Sequence, residues 1–117
     1  MLDDHIHTPL PLYLEHQCRI AQILGTRTDR LIFATTTPVA GDMAAAKRPR
    51  PRTNDDIGAY NRAAHAMLEP MGVEINDLFS LIYPKRVELL SKEDLVHLEP
   101  EGAELCARQV AKVLRSA

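Results

Sequence analysis

Apolar residues between positions 10 and 24 recur at helical spacing: Leu10, Leu14, Cys18, Ala21 and Leu24, with Tyr13, Ile20 and Ile23 widening the stripe. The pattern predicts a helix. Pro11 suits its first turn, where the missing N–H costs nothing, and Gly25 stands where a C-cap glycine would. Leu31 to Thr37 is continuous, rich in β-branched residues and stopped by Pro38. Without polar alternation it predicts a parallel strand covered on both faces. Thr53 with Asp56 three residues on resembles a capping box. It opens a second helix whose apolar face carries Ile57, Tyr60, Ala64, Met67, Leu68 and Met71 and which Gly72 ends. Val73 to Leu78 predicts a second, shorter strand, and residues 78–83 a loose helix cut by Pro84. The last helix starts at Pro100 and is expected to bury Ala103, Cys106, Ala107, Val110, Val113 and Leu114, with Lys112 and Arg115 suiting its C-terminal dipole.

The order α-β-α-β-(α)-α, with no internal repeat, predicts one α/β domain over 1–117, built on a parallel sheet with right-handed crossovers. Residues 39–53 form a Pro/Arg-rich loop. Two parallel strands are few, and they leave both outer edges unpaired. The expectation is a homo-oligomer, most simply a dimer, that covers the edges and the remaining apolar surface.

Composition narrows the function classes. Fourteen basic against 16 acidic residues give a net charge of −2, and two Phe, three Tyr and no Trp leave no stacking platforms, so no nucleic-acid partner is expected. No apolar run reaches membrane-span length, and Met1 to His5 shows neither a basic nor an apolar leader region. A cytoplasmic location is expected, with Cys18 and Cys106 as buried thiols in helices rather than a disulfide. Arg48, Arg50 and Arg52 are interleaved with proline and read as a solvated loop, the alternative being a grip on an acidic partner. Asp3-Asp4-His5-Ile6-His7 reads as a solvated terminus rather than a metal site. No metal or cofactor is called for. His16 and His65 read as partly exposed helix positions, and Asn61 as a buried hydrogen-bonding residue that fixes its helix.

The segment with chemistry is Asp94-Leu95-Val96-His97-Leu98-Glu99-Pro100-Glu101-Gly102. A histidine serves as general base when a carboxylate holds its other ring nitrogen, and an aspartate three residues earlier on a tight turn can do so. The spacing alone is weak, since Asp4 and His7 repeat it without the context. With its surroundings the segment closely resembles the C-terminal catalytic block of the SGNH (GDSL-type) hydrolases. Upstream, Thr35-Thr36-Thr37-Pro38-Val39 looks like that family's penultimate strand and its exit, and Asn54-Asp55-Asp56-Ile57 with Tyr60-Asn61 like the following helix. Val73-x-Ile75-Asn76-Asp77-Leu78 looks like the last strand, and Thr8-Pro9-Leu10 with Tyr13 like the helix before them. The resemblance covers nearly the whole chain and is strongest to the carbohydrate-acetylesterase branch.

It implies a flavodoxin-like α/β/α layer and a Ser-His-Asp ester hydrolase acting on small-molecule acetyl or short acyl esters. His97 would be the general base and Asp94 its orienting carboxylate. The Gly-Asp-Ser-like nucleophile block, the oxyanion-hole glycine and the Gly-x-Asn-Asp segment do not occur in this sequence. The chain therefore reads as the family's C-terminal half, either a shortened hydrolase whose nucleophile is Ser80 or comes from another chain, or a non-catalytic, self-associating module. Ser91 reads as a cap for the turn leading to Asp94, and Ser116 lies at the terminus.

Overall fold

A computed structural model describes residues 8–40, 53–93 and 96–116. Helix α1 (Leu10–Gly25) leads to strand β1 (Ile32–Ala34), then to α2 (Asn54–Leu68) and a 3₁₀ turn at Glu69–Met71. Strand β2 (Glu74–Asn76), the short helices α3 (Leu78–Ile82) and α4 (Arg86–Leu89), and α5 (Pro100–Arg115) follow. The two strands pair in parallel, Ile32 with Glu74, Phe33 with Ile75 and Ala34 with Asn76. This is the expected α/β layer, a partial flavodoxin-like fold.

Two apolar clusters flank the ribbon. Ala64, Leu68 and Val73 sit beneath α1 and α2 with Tyr13, Leu14, Ala21, Phe33 and Ile75 packed on them. Ala40, Ile82, Leu89, Leu90 and Cys106 form the other, with Leu78, Leu98 and Leu105 against it. Local chemistry sets the element ends as anticipated at several points. The Thr53 hydroxyl accepts from the Asp56 N–H, Pro11 lies in the first turn of α1, and Gly72 takes the left-handed φ of 87° that ends its helix.

Other expectations need correction. Gly25 is not a left-handed cap: α1 closes on Thr26, which stays right-handed at φ −81° while its hydroxyl donates to the Ile23 carbonyl. The strand expected over 31–37 pairs only over 32–34 and is half-buried, not covered on both faces, with Ala34 exposed. The second strand stops at Asn76, because Asp77 caps α3 instead of continuing the extended chain. The loose helix ends at Ile82, one residue short of the expected Tyr83, and Pro84 lies in a 3₁₀ turn over Tyr83–Lys85. Cys18 is only half-buried, whereas Cys106 is buried and its burial pushes the thiol pKa up, which keeps it inert. On α5, Cys106 is buried as expected and Val113 is half-buried, but Gly102 is buried as well, while Ala103, Ala107, Val110 and Leu114 are exposed.

Beyond Ala34 the Thr35 N–H still donates to the Asn76 carbonyl of β2 at 3.0 Å. The next backbone hydrogen bonds go to two asparagines of α2. Thr36 N–H donates to Asn61 Oδ1 and Asn61 Nδ2 to the Thr36 carbonyl, both at 3.0 Å. Val39 N–H donates to Asn54 Oδ1 at 2.9 Å, and Asn54 Nδ2 donates to the Val39 carbonyl at 3.1 Å. The match is geometric: seven helical residues span about 10.5 Å, and three extended residues about 10 Å. Two carboxamides thus do the work of a neighbouring strand.

Arg30 fixes the direction of α5. Its guanidinium grips Glu74 at 2.6 and 2.9 Å and donates to the carbonyls of Val113 and Leu114 at 2.7 and 3.2 Å. Arg30 precedes β1 and Glu74 begins β2, so the C-terminus of α5 lies at the N-terminal ends of the strands. Its N-terminus is carried to their C-terminal ends, the side on which open α/β sheets bind ligands.

Candidate active site

His97 lies just before α5, on an exposed stretch whose two flanks are tied together. Leu90 and Leu98 form an antiparallel bridge, Ser91 N–H donates to the His97 carbonyl at 2.7 Å, and Glu99 N–H donates to the Leu89 carbonyl at 2.8 Å. Ser91 Oγ accepts from Glu93 N–H at 3.1 Å, so Ser91 shapes this turn as read from the sequence. Leu90 is fully buried, which anchors the base of the loop in the cluster beside α5. Asp94 lies outside the described residues, so the Asp94–His97 pair is not described. Asp3 to His7 and Arg48 to Arg52 also lie outside them.

Ser80 sits on α3, immediately beyond β2 and on the same side of the sheet as His97. Its hydroxyl donates to Asp77 Oδ2 at 2.6 Å, and its N–H to Asp77 Oδ1 at 3.1 Å. Thr35, buried at the end of β1, donates its hydroxyl to Asp77 Oδ1 at 3.0 Å and accepts from Phe79 N–H at 2.9 Å. Asp77 therefore knits the exits of both strands. Sequence reading placed it inside a strand; the signal for a cap was the Asp-x-x-Ser spacing before an apolar run. Asn61 is buried and hydrogen-bonded as anticipated, but its sister Asn54 was read only as part of a likeness.

Burial raises the Asp77 pKa, but the hydrogen bonds from Ser80 and Thr35, with the charge of His65, outweigh it, and the net direction is downward. The unfolded chain then binds the proton first on acidification. The stabilisation is complete above the unfolded carboxylate pKa and is lost as pH falls through the lower folded one. Glu74, held down by its hydrogen bonds from Arg30, acts in the same sense. Urea midpoints measured between about pH 6 and pH 2 are expected to fall with acid, and the Asp77→Asn variant to fall less steeply. An equally steep acid limb in that variant would remove the assignment.

Among the described residues no group of three or more His, Cys, Asp or Glu is placed to hold a metal ion. No helix among them is long and apolar enough to cross a membrane.

No family model matches the chain. It is 28% identical over 121 residues to the GDSL esterase/lipase CPRD49 of Arabidopsis thaliana, across 95% of this chain and 46% of that protein. The fold is similar to the esterase domain of the ZfL2-1 ORF1 protein from a zebrafish retrotransposon, with a TM-score of 0.73 at 13% identity, covering 95% of this chain and 62% of that one. It is also similar to a GDSL-like lipase from Bacteroides thetaiotaomicron, with a TM-score of 0.72 at 13% identity over 90% of this chain and 52% of the lipase. The sequence likeness is to a GDSL esterase/lipase, and the likenesses to solved structures are likenesses of fold. The chain spans about half the length of the plant GDSL relative it matches. The structural likenesses establish the α/β layer, which is the GDSL-like hydrolase fold over the part that this chain spans.

Proposed function

We propose that this chain takes part in hydrolysis of carboxylic esters with acetyl or short acyl groups, corresponding to the C-terminal half of an SGNH domain of the carbohydrate-acetylesterase kind. The observation that carries the reading is the placement of His97, exposed on a tied loop at the C-terminal ends of the parallel strands. His97 takes the proton of a serine hydroxyl as that oxygen attacks the ester carbonyl, then returns it to the leaving alcohol. Water repeats the exchange to release the acid. In this reading the role of orienting the imidazole falls to Asp94. The nucleophile is Ser80, whose hydroxyl donates to Asp77, or a serine of another chain.

The test is release of p-nitrophenol from p-nitrophenyl acetate and butyrate by the purified chain, together with labelling by a serine-reactive fluorophosphonate. Turnover above buffer and a labelled serine support the reading. Neither turnover nor label would favour the second reading, a self-associating structural module. That alternative draws on exposed apolar side chains, Ile20 and Ile23 on α1 and Leu114 on α5, and on a sheet whose described strands number two. Under either reading the protein is expected to sediment as a dimer at micromolar concentration; a stable monomer would contradict self-association.

A further inference from the structure

We propose that Asn54 is a positioning residue for His97, acting through Val39, Ala40 and the leucine bridge that closes the histidine loop. The inference rests on the reading of His97 as general base. The first link is the pair of hydrogen bonds that bind Val39 N–H and C=O to one carboxamide, with Val39 only 1% exposed. The second is Ala40, the next residue, which is buried in the cluster that contains Leu89, Leu90, Ile82 and Cys106. The third is Leu98, packed against that cluster and bridged to Leu90. His97 hangs between them, its carbonyl bound by Ser91 N–H.

The specificity of the link comes from comparison with Asn61. Both asparagines use the same two-bond clamp, and both stand on α2. Asn61 holds Thr36, which is exposed and outside the cluster, whereas Asn54 holds the residue next to Ala40. Loss of either amide leaves backbone groups unpaired and weakens the fold. Loss of Asn54 frees the residue next to Ala40, which belongs to the cluster that holds Leu90 and on which Leu98 packs.

The experiment is hydrogen exchange and NMR on the full chain. In Asn54→Ala the amides of Ser91 and Glu99 are expected to exchange at least about tenfold faster than in Asn61→Ala of matched global stability. The His97 ring resonances are expected to move in the first variant and stay in the second. Asn54→Asp, which keeps the acceptor for Val39 N–H, is expected to restore part of the wild-type ring signal. Equal exchange at Ser91 and Glu99 in the two alanine variants, with unmoved His97 resonances, would overturn the proposal. Should Asn54→Ala fail to fold, the wild-type protein still decides. The amides of Val39, Ser91 and Glu99 are expected to open as one unit, within about tenfold in protection, and a spread of about a hundredfold would overturn it. None of these readouts needs ester turnover, so a chain that fails to hydrolyse esters removes the functional reading and leaves the coupling measured.

Discussion

The Gly102→Ala variant is expected to be destabilised by about 1–2 kcal/mol, seen as a melting temperature lower by roughly 3–10 °C. A Cβ at position 102 would stand 2.7 Å from the Leu89 carbonyl oxygen, 3.1 Å from Leu98 Cδ2 and 3.2 Å from Leu89 Cβ. The nearest of these is backbone, and it already accepts from Glu99 N–H, so it cannot turn aside without loosening the foot of the histidine loop. Alanine gains about 1 kcal/mol over glycine in a helix interior. Overpacking against fixed backbone costs about 1–3 kcal/mol or somewhat more, and the balance is unfavourable. Gly58 in α2 is the contrasting case. There a Cβ would meet the far end of the Arg62 side chain at 3.0 Å, which can swing away, so Gly58→Ala is expected to be neutral or stabilising. A Gly102→Ala protein as stable as wild type would mean that α4 and α5 are not held as closely as described.

The second large effect is expected on turnover. His97→Ala is expected to lower kcat for p-nitrophenyl acetate at least about a thousandfold with little change in KM, since a general base acts in the transition state and not in substrate binding. A melting curve of the variant separates the loss of chemistry from any loss of folding. His16→Ala, which alters an exposed position of α1, should leave turnover as it was. Equal activity of the His97→Ala and wild-type proteins would end the hydrolase assignment.

The sequence was readable where periodicity and capping act locally. The three long helices, the Thr53 cap, the Gly72 turn and the parallel strand pair all follow from spacing and side-chain type. It was misread where burial depends on approach rather than hydropathy. In α5 the close contact is made by Gly102, and the core-facing stripe continues through Gln109, whose amide reaches Asn76. A glycine and a glutamine carry no apolar signal, so apolar periodicity finds Cys106 and Val113 on this face but adds the exposed Ala103, Ala107, Val110 and Leu114. The exit of β1 failed for a related reason. Thr36 to Val39 has strand-like composition, but its backbone partners are carboxamides supplied from 54 and 61, and no local pattern announces a helix that substitutes for a strand. Of the candidate site, His97 and the turn at Ser91 were legible, whereas the Asp77 junction needs both strand exits in view.

The paired bonds between Val39 and Asn54 have a consequence for protein engineering. They fasten two points fifteen residues apart in sequence, so a substitution at Asn54 is felt at the exit of β1 as well as at the start of α2.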